Sequence, residues 1–231
     1  MIGLISDAHG NGSAFDSAVS LLKKHGAQKL YFLGDAVGYI PSDSVLASIS
    51  KLGAQIKCIR GNHEQMLLTG NILPNRDEVY QLGRFRDTLN DVYLNMISEW
   101  PSILEETVDG EHILFVHGSP YDPVSGYVYP DSDLSVFDVS YDWIFMAHTH
   151  RPFVREFEGR NFVNIGSCGM PRDDGRFGSV ALFDPKKKIV RILRFNITLH
   201  TESIRKYYQI IHPSVRELFL RNAAEIIGEK C

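Results

Sequence analysis

The first third of the chain alternates short apolar runs with helix-patterned segments, and each apolar run ends in a polar turn. The runs 2–6, 30–33 and 54–59 predict strands. The segments 13–26 and 42–53 between them have helical spacing and end in glycine. Strands separated by helices predict a parallel sheet with right-handed crossovers. Because ligands bind at the carboxyl ends of such strands, we expect three polar turns to share one functional edge.

The pattern changes in the middle of the chain. Residues 71–84 are polar and predict a loop, and residues 85–100 have the spacing of an amphipathic helix that ends before Pro101. Asp109 and Gly110 between two apolar runs are typical of a hairpin. Further strands are predicted at 103–108, 112–116, 143–146, 162–165, 179–183 and 189–197, and a terminal amphipathic helix at 215–227.

Together these elements predict an α/β fold. A β-α-β-α-β half followed by a strand-rich half favours a four-layer α/β/β/α sandwich of two mixed sheets with helices outside. We expect one domain over residues 1–231, with a helical tail at about 201–231, because 231 residues with 44% hydrophobic content suit one sizeable core. The strand-end turns of both halves then meet at one edge.

Composition excludes several classes of function. The net charge of -4 argues against a nucleic-acid-binding surface. Three cysteines without CxxC spacing favour neither a disulfide framework nor a thiolate zinc site. The N-terminus lacks the pattern of a signal peptide, and no apolar run is long enough to span a bilayer. We therefore expect a cytoplasmic protein without a membrane partner.

Seven candidate metal ligands lie in the turns that follow the strand-like runs. Imidazole, carboxylate and amide groups suit borderline divalent ions, with Mn as our first choice and Fe, Ni, Co or Zn as alternatives. Seven ligands are too many for one tetrahedral ion but suit two ions that share a carboxylate, a cationic centre fit for phosphate hydrolysis. The seven candidates are Asp7, His9, Asp35, Asn62, His117, His148 and His150.

The same residues form an ordered series of motifs. The chain contains DxH at 7–9, GD at 34–35, GNHE at 61–64, HG at 117–118 and HxH at 148–150. This series resembles the calcineurin-like metallophosphoesterase superfamily, and the resemblance extends up to the strands after Gly166. Each motif alone is a weak signal, but five in this order are highly specific.

The resemblance implies a mechanism and a role for each ligand. A hydroxide bound by the dinuclear metal site would attack phosphorus in line, and His63, which is not a ligand in the family, would assist the leaving group. Asp35 would bridge the two ions. By the family pattern, one ion would be held by Asp7, His9, Asp35 and His150, and the other by Asp35, Asn62, His117 and His148.

Some residues depart from the larger branches of the superfamily. Gly38 and Tyr39 stand where the Ser/Thr protein phosphatases have an Asp that orients the catalytic His and an Arg that holds phosphate, so the sequence does not identify what orients His63. Ala147 replaces the usual Gly before the HxH motif. The GDxVGYxP form and the GSxGxPR stretch at 166–172 resemble small prokaryotic YfcE-like or diadenosine-tetraphosphatase-related phosphoesterases.

Two residues are candidates for substrate binding. Asn11 either caps the first helix or directs that helix towards phosphate, and we give both readings equal weight. Arg172 is the best candidate for a phosphate clamp because arginine binds phosphate bidentately. Tyr39 either packs or stacks on a substrate ring. Weaker clamp candidates are Arg60, Arg151 and Arg176, and the histidines expected to be structural or solvated are His25, His112, His200 and His212.

The leading functional hypothesis is a metal-dependent phosphodiesterase or phosphatase that acts on a small phosphorylated substrate. A hydrolase of dinucleoside polyphosphates is the enzymatic alternative. A non-catalytic metal-binding scaffold is the third, because the superfamily includes a trafficking-complex subunit that has lost catalytic ligands. The sequence leaves open whether the chain forms a homo-oligomer.

Overall fold

A computed structural model describes the backbone of residues 1–231 and the side chains of all residues except 201 and 202. The strands are β1 (Ile2–Ile5), β2 (Lys29–Phe32), β3 (Ile56–Cys58), β4 (Ile103–Val108), β5 (Glu111–Val116), β6 (Trp143–Met146), β7 (Phe153–Phe157), β8 (Arg160–Asn164), β9 (Phe177–Asp184), β10 (Ile189–Asn196) and β11 (Glu229–Lys230). The α-helices are α1 (Gly12–Lys24), α2 (Ser44–Leu52), α3 (Asn62–Thr69), α4 (Pro74–Tyr80), α5 (Leu82–Arg86), α6 (Asp91–Ser98), α7 (Thr201–Ile204) and α8 (Pro213–Leu218).

The strands form two mixed sheets. The first has the order β11-β10-β9-β1-β2-β3, and the second has the order β4-β5-β6-β8-β7. Strands β1, β2 and β3 pair in parallel, as their helical crossovers predict. In the second sheet β5, β6 and β8 are parallel, so their carboxyl ends point the same way. Polar turns from both sheets can therefore meet.

Alternation along the strands separates three hydrophobic layers. Leu4 of β1 and Phe115 of β5 face each other's sheet and contribute to the core between the two sheets. Ile5 points to the opposite face, where it packs with residues of the helices. Leu114 points away from the first sheet, into a third cluster. A period of two thus gives each sheet two buried faces.

This arrangement confirms the predicted α/β fold with two mixed sheets. The outer face of the second sheet is covered by residues 117–142, which form neither a helix nor a strand. Val128, Leu134 and Phe137 of that segment fill the third cluster instead of a helix face. The helices predicted for the outside lie on the first sheet.

The loop predicted at 71–84 is wrong, since α4 and the start of α5 occupy it. Pro74 stands at the first position of α4, where its missing N–H costs nothing. Gln81 adopts a left-handed conformation with φ of 59° and separates the two helices. Asp77 Oδ1 accepts hydrogen bonds from the Leu82 and Gly83 amides at 2.8 and 2.9 Å, which fixes the start of α5.

The terminal helix is shorter than the pattern predicts, because α8 ends at Leu218. Beyond it the backbone bonds to other parts of the chain: the Gly175 amide donates to the Arg221 carbonyl at 2.9 Å, and the Ala223 amide donates to Asp174 Oδ2 at 3.1 Å. The chain then ends in β11, which pairs with β10. Tertiary hydrogen bonds replace the helical ones here.

Strand β7, which the sequence analysis missed, forms the edge of the second sheet.

Among the helices of the described residues, none combines the length and apolar character needed to cross a membrane.

Two paired valines differ in burial, so we expect their substitution by alanine to change the free energy of unfolding by different amounts. Val163 on β8 is fully buried, and its partner Val154 on the edge strand β7 is 43% exposed. We expect Val163→Ala to lower the free energy of unfolding by about 2 kcal/mol, because it removes two buried methyl groups and leaves a cavity. Val154→Ala is the matched control and should cost less than about 0.5 kcal/mol. Equal losses in urea unfolding would contradict this assignment of layers.

Candidate metal centre

The five strand-end turns carry side chains into one buried cluster. Five of the seven predicted ligands have left-handed backbone conformations, which non-glycine residues seldom adopt. Such local strain is typical of functional sites that the surrounding fold holds in place. The residues and their φ angles are Asp7 (52°), His9 (48°), Asp35 (60°), His148 (66°) and His150 (57°).

The first group joins the turns after β1 and β6. His9 Nε2 lies 3.1 Å from His150 Nε2, which in turn lies 3.1 Å from Asp7 Oδ1. Each imidazole is oriented by a backbone carbonyl, because His9 Nδ1 donates to Val37 O at 3.0 Å and His150 Nδ1 donates to Met170 O at 2.5 Å. A carbonyl can only accept, so both Nε2 atoms present lone pairs to the centre.

The second group joins the turns after β2, β3, β5 and β6. His117 Nε2 lies 3.1 Å from Asn62 Oδ1, 3.2 Å from His148 Nδ1 and 3.3 Å from Asp35 Oδ2. His117 Nδ1 donates to Leu33 O at 2.6 Å, which leaves the lone pair of Nε2 facing the group. Acceptor atoms from four turns therefore converge on one point.

Asp35 connects the two groups. Its Oδ2 atom lies 3.3 Å from His117 Nε2 and 3.7 Å from His9 Nε2, and its Oδ1 atom accepts the His63 amide at 3.0 Å. Asp7 Oδ1 is buried without a hydrogen-bond donor. Buried lone pairs that face each other without donors are costly unless a cation lies among them. The donor set therefore fits divalent metal ions.

The shifted pKa values of the candidate ligands also indicate that their buried carboxylates favour a positive charge nearby. Burial opposes ionisation of Asp35, yet His117 holds the pKa of Asp35 well below its usual value. Burial also opposes charge on His117, but Asp35 and Asp7 raise the pKa of His117 to about 10. Burial lowers the pKa of His150 to about 4, so that imidazole stays neutral. A metal cation would compete with the proton on His117 for the same lone pair.

His63 is positioned by rings rather than by a hydrogen bond. Its ring centroid lies 4.9 Å from that of Tyr39, 4.7 Å from Tyr80 and 4.8 Å from His9. Its Nδ1 atom is buried without a partner and faces Gly38, where an added Cβ would lie 1.9 Å away. Gly38 therefore leaves the space that the His63 ring occupies, and Tyr39 forms an aromatic wall beside that ring. The Tyr39 reading as a packing residue fits this geometry.

Glu64 binds the turns together, a role that the sequence analysis did not assign. Its Oε2 atom accepts the Asp35 and Gly61 amides at 2.8 and 2.9 Å, and its Oε1 atom accepts the Ala36 and Val37 amides at 2.7 and 3.3 Å. Burial, and next the charge of Asp35, raise the pKa of Glu64 to about 7. The signal available in the sequence was an acid at the third position of a helix start, three residues after Gly61.

The two candidate substrate-binding residues lie in different environments. Asn11 is fully buried, its Oδ1 atom caps α1 by accepting the Ala14 amide at 3.2 Å, and its Nδ2 atom donates to Gly169 O at 3.1 Å. Both polar groups are used, which fits the helix-cap reading of Asn11, and its role in substrate binding stays a prediction. Arg172 lines the cleft above the metal cluster and donates to Tyr39 Oη at 2.8 Å.

Glu64→Gln should destabilise the fold. A glutamine amide offers one acceptor oxygen in place of two, so two buried backbone N–H groups lose their partner. We expect the free energy of unfolding, measured in urea with a chelator present, to fall by about 2 to 4 kcal/mol. Glu78→Gln changes the same group at an exposed position of α4 and should have no measurable effect. Equal stability of the two variants would contradict the role given to Glu64.

Asp35→Asn should reduce metal content without unfolding the protein. The asparagine retains an oxygen for the His63 amide but removes the charge between the two histidine groups. We expect elemental analysis to find fewer than half of the wild-type metal ions per chain. Asp138→Asn, at a side chain that is 98% exposed, is the matched control and should bind metal like the wild type. Unchanged metal content in Asp35→Asn would exclude Asp35 as a shared ligand.

Comparisons with known proteins identify the fold and the family of this chain. An uncharacterized protein of Methanocaldococcus jannaschii is 29% identical over 91% of both chains. A hypothetical protein of Pyrococcus horikoshii has the same fold, with a TM-score of 0.80, 21% identity and full coverage of both chains. A metallophosphoesterase from Sphaerobacter thermophilus follows with a TM-score of 0.75 and 24% identity over 95% of this chain and 98% of its own. The sequence model of the calcineurin-like phosphoesterase superfamily domain matches residues 1–188, and the chain therefore belongs to that superfamily.

Proposed function

We propose that this protein is a metal-dependent phosphoesterase that hydrolyses phosphodiester or phosphomonoester bonds. The observation that carries the proposal is the convergence of acceptor atoms from five turns beside a buried, unpaired imidazole. Two divalent ions bound there would polarise a phosphate oxygen and acidify water, and Mn is our first choice. One ion would be held by Asp7, His9, Asp35 and His150, and the other by Asp35, Asn62, His117 and His148.

His63 would act on the leaving group as a hydrogen-bond donor. Burial lowers the pKa of His63 well below its ordinary value, although Asp35 opposes the shift, so the ring is neutral. Its Nε2 atom lies 3.9 Å from Asp35 Oδ2, on the side of the metal cluster. A neutral imidazole carries one N–H, which can stabilise negative charge that develops on the departing oxygen.

Arg172 and Tyr39 would orient the substrate at the mouth of the site. Both line the cleft that contains His63, and their hydrogen bond ties the guanidinium to the ring that packs on His63. The remaining donors of the guanidinium can face a phosphate oxygen. Because Tyr39 stands where the protein phosphatases have an arginine, Arg172 would supply that charge from another turn.

A hydrolase of dinucleoside polyphosphates is the second candidate. It is supported by two aromatic rings beside the candidate ligands. The ring centroid of Tyr127 lies 4.2 Å from that of His148, and Tyr127 stacks on Tyr129 with 5.9 Å between their ring centroids. Both tyrosines are exposed, by 53% and 40%, so they can receive a nucleobase. Mass spectrometry of the products distinguishes a cleaved anhydride from a cleaved ester.

The test is hydrolysis of bis-p-nitrophenyl phosphate and p-nitrophenyl phosphate by metal-depleted protein supplied with Mn, Ni, Zn or no metal. We expect metal-dependent release, and the faster substrate identifies the protein as a diesterase or a monoesterase. His63→Ala should lower kcat by about 10²- to 10⁴-fold while metal content is retained, because the proposed ligand set does not include His63.

His112→Ala is the matched control, since His112 is exposed on β5, and it should keep wild-type turnover. Equal turnover in His63→Ala and wild type would remove His63 from the mechanism. No release with any metal, together with no cleavage of a dinucleoside polyphosphate, would favour the metal-binding scaffold. The expected cytoplasmic location, the small phosphorylated substrate and a homo-oligomer stay predictions.

A further inference from the structure

A second cleft opens directly beside the metal cluster. It has a volume of about 380 Å³ and shares Tyr39 and Arg172 with the smaller cleft that contains His63. Thr149 and Arg151 also line it. Thr149 stands between two candidate ligands in the sequence and Arg151 follows the second, so the turn that presents ligands also forms a wall of this cleft.

The cleft carries positive charge without a balancing carboxylate. Arg151, Arg172 and Arg221 line it, and none of its lining residues is Asp or Glu. No ion pair joins any of the three guanidinium groups to a carboxylate in the part of the chain whose side chains are described. Because the chain as a whole has a net charge of -4, this concentration is local. Uncompensated arginines in a cleft favour an anion.

Neutral partners hold two of these arginines in position. Arg172 Nη2 donates to Tyr39 Oη at 2.8 Å, and Arg221 Nη1 donates to the Arg172 carbonyl at 3.2 Å. These bonds orient the guanidinium groups but leave most of their N–H donors unused. Planar donors arranged in this way match the oxygens of a phosphate, which can accept two bonds from each guanidinium.

The C-terminal segment builds the far wall of the cleft. Ser214, Val215 and Leu218 of α8 line it together with Arg221. The bond from the Gly175 amide to the Arg221 carbonyl fixes this segment against the turn that carries Arg172. These residues follow the part of the chain that matches the superfamily, which ends at residue 188. The cleft therefore lies between this tail and the part of the chain that matches the superfamily.

We propose that the arginine cleft binds a second phosphate of the substrate while the first phosphate lies at the metal cluster. The inference rests on the proposed function and narrows it to substrates that carry at least two phosphate groups. Two kinds of compound share this chemistry: a nucleoside phosphorylated at two positions, and a polyphosphate chain between two nucleosides. In both, the group in the cleft is bound but not cleaved.

The experiment compares two substrates that differ by one phosphate and release the same chromophore. They are thymidine 5′-(p-nitrophenyl phosphate) and its 3′-phosphorylated derivative, and diadenosine tetraphosphate is the polyphosphate arm. For wild-type protein we expect the 3′-phosphorylated ester, diadenosine tetraphosphate or both to have a kcat/KM more than tenfold above that of the one-phosphate ester. In Arg151→Gln/Arg221→Gln that ratio should fall to about one, mainly through KM.

Arg84→Gln is the matched control, because Arg84 is exposed on α5 and outside both clefts, and it should retain the wild-type ratio. The arm with the higher ratio identifies which of the two sources of the second phosphate the cleft accepts. A wild-type ratio near one in both arms overturns the inference, and so does a ratio that the double variant leaves unchanged. Cleavage of none of the substrates would instead count against the proposed function.

Discussion

The geometry of the candidate site depends on one buried carboxylate. Glu64 accepts four backbone amides that belong to the turn after β2 and the turn after β3. Those two turns present Asp35, Asn62 and His63, so one side chain sets the separation of three functional groups. Burying a carboxylate is costly unless its lone pairs are satisfied, and here backbone N–H groups satisfy them. These four hydrogen bonds offset the cost of burial and hold the two turns at a fixed separation.

The close arrangement of the candidate ligand atoms depends on that rigidity. Acceptor atoms that repel one another remain within about 3 to 4 Å because carbonyls fix the imidazoles and the left-handed turns fix the backbone. Aromatic and basic side chains surround this cluster. Tyr39 and Tyr80 enclose His63, and the C-terminal tail adds Arg221 to Arg151 and Arg172. In the proposed function, the candidate ligands and His63 would support the reaction, and these surrounding residues would select the substrate.

Local pattern was a reliable guide where local forces decide the structure. The runs that became β1, β2 and β6 alternate or are fully apolar, and the structure has strands there. Pattern failed at residues 71–84 and 215–227. In the first, Pro74 and Asp77 start two short helices within a polar stretch. In the second, bonds to Asp174 and Gly175 end the helix early.

The sequence by itself determined which chemistry is available, because the identity and order of the turn residues fix the donor set, and the fold class follows from the alternation of strands and helices. Only the tertiary structure decided how those residues meet. Seven candidate ligands converge although 141 positions separate His9 from His150. It also decided that Asn11 is a buried cap and that, among the described side chains, aromatic rings rather than hydrogen bonds hold the His63 imidazole. Contacts between distant residues depend on packing of the two sheets, and no local pattern encodes them.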